Sequence, residues 1–235
     1  MAAEGYMDKE IARELNRSIA SIRSKRYKDN IKLIKFNEDL FEKLDNKNSW
    51  LLGLITADGT FKGNNVTLYN SEKGLLQEFK AIFETDNKIN NHVADRFGDK
   101  KVWRLGVSGE KVIDDLKSLN AYGNKNKRNP FPIIPDQYKW AFIKGLFDGD
   151  GNFYKGSFSI AGREELIKFV YYWMCHQIKK QPNKIYTHST NKITKYFQFS
   201  PKDADKIFEL IEQNSQGTYN SEKYMKWKRY YDKAS

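Results

Sequence analysis

Residues 51–59 read LLGLITADG, and residues 143–151 read IKGLFDGDG. Both stretches end in Asp-Gly with a Phe two residues on: Asp58-Gly59-Thr60-Phe61 and Asp150-Gly151-Asn152-Phe153. The separation is too long for a solenoid repeat, so the chain is read as two copies of one larger unit, each delivering one carboxylate at the corresponding place. Small residues recur four apart in both copies, Gly53 and Ala57 in the first and Gly145 and Gly149 in the second. Four apart is one face of a helix. A glycine inside a helix costs about 1 kcal/mol relative to alanine. Two helices whose backbones approach closely through these small residues would offset that cost. Leu51, Leu54 and Ile55, and Ile143, Leu146 and Phe147, would fill the core of each half.

Such packing puts Asp58 and Asp150 side by side at two helix C-termini. Two carboxylates then meet two negative dipole ends, which is unfavourable without a counter-charge. A divalent cation reverses the sign. Carboxylates, backbone carbonyls at Ala57 and Gly149, and phosphate oxygens form a hard-oxygen set suited to Mg²⁺. Metal ions so placed activate water and stabilise the leaving oxygen of a phosphodiester. The plainer alternative, that Gly59 and Gly151 merely end two helices as C′ residues, does not account for the matching small-residue spacing.

Outward from the repeat, each half reads α-β-β-α-β-β-α. The first has helices at 49–58 (Ser49 as N-cap), 72–84 and 110–119, with strands near 60–70, 88–97 and 101–108. The second has helices at 137–150, 163–178 and 202–213, with strands near 152–161, 183–190 and 194–200. Alternation sets the strand faces: Val66 and Leu68 against Thr67 and Tyr69, Trp103, Leu105 and Val107 against Val102, Arg104 and Gly106. Three prolines, Pro130, Pro132 and Pro135, mark the join between halves, and a basic segment with Lys223, Lys226, Lys228 and Arg229 closes the chain. The expected division is 1–35, a connector at 36–48 with a short helix from about Glu38, a first half at 49–128, a linker at 129–136 and a second half at 137–235.

The 235 residues include 41 Lys and Arg against 30 Asp and Glu, a net charge of +11, which points to a polyanionic partner. One cysteine, Cys175, excludes an internal disulfide and a cysteine-based zinc site. His92, His176 and His188 show no metal-ligand spacing. No apolar run is long enough to span a bilayer and the first residues are charged, so no membrane partner and a cytoplasmic location are expected.

At the front, Ile11, Leu15, Ile19 and Ile22 carry helical spacing. Asp8 is suited to cap a first helix and Ser18 a second. From Arg17 to Lys28 there are five basic residues and no acid. Two short helices of this kind match a helix-turn-helix, the second helix lying in the major groove with Arg17, Ser18, Ser21, Arg23, Lys25 and Arg26 near bases or phosphates. The stretch resembles the tri-helical domains of phage and bacterial regulators, with MAAEGY standing where the last turn of a preceding helix would be.

The repeated segments resemble the paired motifs of LAGLIDADG homing endonucleases of the single-chain, two-motif type, over about residues 49–235. The resemblance implies an α+β fold of two pseudo-symmetric αββαββα halves forming a DNA-binding saddle, here with a helix-turn-helix added. It implies a monomeric, site-specific double-stranded DNA endonuclease that hydrolyses one phosphodiester per strand and leaves short 3′ overhangs. In that family the last Asp of each motif is the metal-binding catalytic carboxylate, which falls on Asp58 and Asp150 with two or three Mg²⁺ shared between them. The motif's earlier Asp is present as Asp148 and replaced by Thr56 in the first copy. The family also sets a basic residue near each scissile phosphate after the last helix of each half, for which Lys125 or Lys127, and Lys228, are the candidates. Base reading would fall to outward strand residues: Lys62, Thr67, Tyr69, Arg96, Lys101, Arg104, Tyr154, Lys155, Ser157, His188, Thr190, Lys192, Lys195, Tyr196 and Gln198. A non-catalytic DNA-binding regulator and an RNA-splicing maturase are alternatives on the same fold.

Overall fold

The computed structural model describes residues 8–29, 36–93, 101–123, 132–189 and 192–234. A helical hairpin comes first, α1 at Asp8–Glu14 and α2 at Ile19–Lys28. The first half runs α3 (Asn46–Asp58), β1 (Gly59–Lys62), β2 (Asn65–Asn70), α4 (Lys73–Ile82), β3 (Asn90–Val93), β4 (Lys101–Ser108) and α5 (Glu110–Ser118). The second runs α6 (Lys139–Asp150), β5 (Gly151–Tyr154), β6 (Ser157–Arg163), α7 (Glu164–Gln177), β7 (Tyr186–Thr187), β8 (Thr194–Phe199) and α8 (Pro201–Asn214), followed by α9 (Glu222–Ala234). The two antiparallel sheets have one topology, β1-β2-β4-β3 and β5-β6-β8-β7. Gly59 pairs with Leu68, and Gly151 with Ile160, so the hairpin after each Asp has the same register.

Each sheet buries one face. Val66, Leu68, Leu105 and Val107 in the first, and Phe158, Ile160, Phe197 and Phe199 in the second, lie in one continuous core with the helices. Among the described residues no helix is long and apolar enough to cross a membrane. The core of each half runs through α3 and α6 into the other, because both helices are buried nearly all round: Trp50, Leu51, Leu52, Leu54 and Ile55 on one, Phe142, Ile143, Leu146 and Phe147 on the other.

The glycines of the repeat permit this contact. A Cβ added to Gly53 would lie 2.1 Å from the Phe142 carbonyl oxygen, and one on Gly145 would lie 1.9 Å from that of Trp50. Gly59 and Gly151 have ordinary extended backbone, φ −77° and −83°, so they are not left-handed caps. They are glycines because a Cβ there would strike the preceding turn, 2.4 Å from the Ile55 carbonyl oxygen and 2.3 Å from the Phe147 ring.

Several sequence expectations are corrected. Helix α3 starts one turn early, at Asn46: Asp45 caps it and Asn48 completes a capping box by bonding back to the Asp45 amide. Ser49 is instead buried inside the helix, its amide bonded to the Asp45 carbonyl at 3.0 Å and its hydroxyl without a partner among the described residues. The region after Glu38 forms turns rather than a helix, with Phe41 and Leu44 anchored in the core. The basic C-terminal segment is helix α9, whose Trp227 packs on Phe147, Phe153, Phe158 and Phe208. Asp8 is the first residue of α1, and its carboxylate reaches across the hairpin to Arg26 Nε at 3.0 Å and Arg23 Nε at 3.3 Å. By strand alternation Lys195 takes the same side of β8 as the buried Phe197 and Phe199, and it donates to Thr187 Oγ1 at 2.9 Å. It is therefore not an outward-reading side chain.

Candidate active site at the paired helix ends

Asp58 and Asp150 are the last residues of α3 and α6, and the tight backbone approach brings those ends together. An added Cβ on Gly149 would lie 2.4 Å from Ala57 Cβ and 3.2 Å from Asp58 Oδ2, so the first half's carboxylate stands over the end of the second half's helix. Asn70, the last residue of β2, donates through Nδ2 to Asp58 Oδ2 at 2.7 Å. By the shared register its counterpart is Gly162, which offers no side chain.

The second half-site has Lys223. Its ammonium donates to the carbonyl oxygens of Gly149 (2.5 Å), Gly151 (3.0 Å) and Phe147 (3.4 Å), around the C-terminal end of α6. A lysine in the first turn of α9 opposes that helix's own dipole, and the negative end of α6 offsets it. Burial pushes the Lys223 ammonium below its usual range, and the carboxylates of Asp58, Asp148 and Asp150 act against that fall. Lys223 was not among the lysines expected at this site from the sequence. Lys228, the lysine expected in this half, sits roughly 140° around α9 from it and pairs with Glu212 at 3.3 Å. The available signal was Ser221-Glu222 ahead of an amphipathic run, a helix start that would have put Lys223 in a first turn.

Behind the carboxylates lies a buried polar cluster. Asp148 is wholly enclosed and accepts from Trp50 Nε1 at 2.7 Å and from the Ser221 hydroxyl, with Lys144 Nζ 3.7 Å away. Lys144 donates to the Tyr219 carbonyl and lies over the Tyr224 ring, 4.5 Å from its centroid. Burial pushes the Asp148 carboxyl up and the Lys144 ammonium down, and each partner counters the other's shift. Thr56, at the matching position of the first half, donates from its hydroxyl to its own helix, to the Leu52 carbonyl at 2.7 Å.

The donor set fits a hard cation. Two carboxylates stand beside the carbonyl ends of two helices, with Ala57 immediately before the first and Gly149, whose expected ligand carbonyl is instead held by the Lys223 ammonium, before the second. Among the described residues no three His, Cys, Asp or Glu side chains gather as a complete cage, so the remaining ligands of an ion held here would come from outside the protein.

On the outer sheet faces, Lys62, Thr67, Tyr69 and Arg104 share one side of the first sheet. Tyr154, Ser157, Tyr196 and Gln198 share one side of the second. Lys155 forms the β5–β6 turn with Gly156, at φ +47° and +81°. His188 follows β7 and donates its amide to the Thr194 carbonyl, and Lys192 is exposed in the adjoining turn. Lys101 pairs with Val93. Arg96, Lys125, Lys127 and Thr190, and the MAAEGY segment, lie outside the described residues. In the hairpin, Ser18 Oγ accepts from the Ser21 amide at 3.1 Å and Lys25 pairs with Asp29 at 3.1 Å. Arg17 is exposed at the turn, where Asn16 takes φ +47°. Arg23 and Arg26, expected at DNA, are paired with Asp8.

Two matching antiparallel sheets, joined through glycine-faced helices that each end in Asp, define the LAGLIDADG fold. Residues 45–119 match the family model of a LAGLIDADG-like domain, and the chain has the fold of the single-chain LAGLIDADG homing endonucleases. The I-LtrWI LAGLIDADG homing endonuclease bound to target DNA is 13% identical, with a TM-score of 0.54 over 84% of this chain and 91% of that one. Meganuclease I-SmaMI bound to uncleavable DNA is 13% identical, TM-score 0.53, over 81% and 88%. I-DmoI in complex with DNA and Ca is 19% identical, TM-score 0.51, over 82% and 99%. No curated protein sequence matches this chain.

Proposed function

We propose that this protein is a monomeric, site-specific DNA endonuclease that cuts both strands of a duplex using divalent metal. The observation that carries the reading is the meeting of Asp58 and Asp150 at two helix ends, beside the Lys223 ammonium. Divalent ions held by Asp58, Asp150 and phosphate oxygens would supply activated water and neutralise the leaving oxygen. Asn70 orients the Asp58 carboxylate and withholds one oxygen from rotation. Lys223 brings a positive charge to the second scissile phosphate, where it stabilises charge developing in the transition state. The outer sheet faces, with Lys62 and Arg104 on one and Tyr154 and Gln198 on the other, lie along the duplex and read it. The α1–α2 hairpin adds a second contact, a helix-turn-helix on which Arg13, Arg17, Arg23, Lys25 and Lys28 are exposed cations. In the same reading the chain acts in the cytoplasm, where Mg²⁺ is available.

The test is selection from a randomised duplex library. In Mg²⁺ the protein should enrich one cut sequence with short 3′ overhangs. Enrichment by binding alone, with no cut under Mg²⁺ or Mn²⁺, would make it a regulator on this fold.

A further inference from the structure

Glu72 immediately precedes α4 in the first half, yet its carboxylate serves the second half. It accepts from the Tyr219 hydroxyl at 3.1 Å, and both of its oxygens lie 3.1 Å from the Glu222 amide, the first of α9. Amides at a helix start have no partner within the helix, and a carboxylate there is favoured by the dipole. The same turn is held from the other side: Ser221 Oγ accepts from the Tyr224 amide and donates to Asp148. Lys223 is the residue between these two anchors. Gly74 gives Tyr219 its room, since a Cβ there would lie 2.1 Å from the tyrosine oxygen.

Glu72 is equally tied to the first half-site. Its own amide donates to Asn70 Oδ1 at 2.7 Å, and Asn70 Nδ2 holds Asp58. One unbroken line of hydrogen bonds therefore runs from Asp58 through Asn70 and Glu72 to the turn that carries Lys223. The pseudo-symmetric residue, Glu164, has no such role: it pairs with Lys168 on its own helix at 2.6 Å.

We propose that Glu72 is a positioning residue, through which the first half sets Lys223 on the carbonyl end of α6 and so assembles the two half-sites together. The consequence for cleavage rests on the function proposed above; the placement of Lys223 does not. The experiment is a ¹⁵N-resolved NMR spectrum of lysine ammonium groups in the full chain, with Lys223→Met and Lys144→Met supplying the assignments. Wild type and Glu72→Gln, which keeps an acceptor, should both show a slowly exchanging Lys223 ammonium. Glu72→Ala should lose it or speed its exchange roughly tenfold, the equivalent of one hydrogen bond to a charged group, while Lys144 is unchanged. An unaltered Lys223 resonance in Glu72→Ala overturns the proposal. If Lys144 is also lost in that variant, Tyr219→Phe decides, removing one bond to Glu72 at constant packing: a Lys223 signal altered alone supports the proposal, and an unaltered one overturns it. On a cleavable duplex, Glu72→Ala should lower kcat at unchanged KM and Glu72→Gln should restore it. A perturbed ammonium with unchanged kcat overturns the positioning role. A wild type that cuts nothing overturns the endonuclease reading while the resonance still decides what Glu72 does.

Discussion

Gly145→Ala adds one methyl group where the structure has no space for it. The new carbon would fall 1.9 Å from the Trp50 carbonyl oxygen and 2.9 Å from the Leu54 amide nitrogen, both backbone atoms inside a buried helix. Carbon–oxygen contacts settle at about 3.3 Å or more, so α3 and α6 must separate by more than about 1 Å. Overpacking of this kind costs about 1–3 kcal/mol, and a backbone neighbour that cannot rotate away puts it at the upper end. Alanine recovers about 1 kcal/mol through its helix propensity. The net loss is about 2 kcal/mol, which in a chain of this size lowers Tm by about 4–8 °C. Gly53→Ala meets the Phe142 carbonyl at 2.1 Å and should behave alike. The double variant should cost less than the sum, because one separation relieves both clashes. Scanning calorimetry of the three variants measures this, with Gly162→Ala as control, since its Cβ makes only a 3.4 Å contact with Ile167. A Tm for Gly145→Ala at or above that of wild type would refute the claim that these glycines exist for helix approach.

Asp148→Asn should destabilise the fold by about 3 kcal/mol in denaturant titrations, because it strands the Lys144 ammonium in the core; adding Lys144→Met should recover part of it. Lys223→Met should reduce cleavage at one strand and accumulate nicked circles in a plasmid assay, whereas Lys228→Met, which only frees Glu212, should leave the ratio of nicked to linear product unchanged. Burial raises the Asp8 carboxyl, but Arg26 and Arg23 outweigh it and hold the group below 3.8. The stability this lends the hairpin is present above about pH 4 and lost as pH falls through the folded value. Protection factors for amide exchange of residues 8–29, taken against the intrinsic rate at each pH, should therefore fall in acid, and Asp8→Asn should show the lowered protection at neutral pH.

The half-and-half architecture was legible because the repeat fixes it twice: the same small-residue spacing, the same Asp-Gly and the same strand alternation after it. Asp58 and Asp150 could be named because the helix register alone brings them together. The start of α3 was misread because Ser49, a good cap by type, competes with Asp45, whose capping box with Asn48 satisfies two amides rather than one. Lys195 looked outward because β8 is dense in polar residues, although alternation with Phe197 and Phe199 puts it on the core side. Arg23 and Arg26 looked like DNA contacts because a local reading of charge does not see Asp8 fifteen or more residues away. Asn70, Glu72 and Lys223 take their roles from contacts between elements far apart in sequence, those of Glu72 crossing from one half to the other, and no periodicity records them.

The most direct test of the central claim loads the protein onto its selected duplex in Ca²⁺ and then exchanges to Mg²⁺. Wild type should bind in Ca²⁺ and cut both strands after exchange. Asp58→Asn and Asp150→Asn should bind as tightly and leave the duplex uncut in Mg²⁺. Cleavage by either variant at the wild-type rate would contradict the assignment of these two carboxylates.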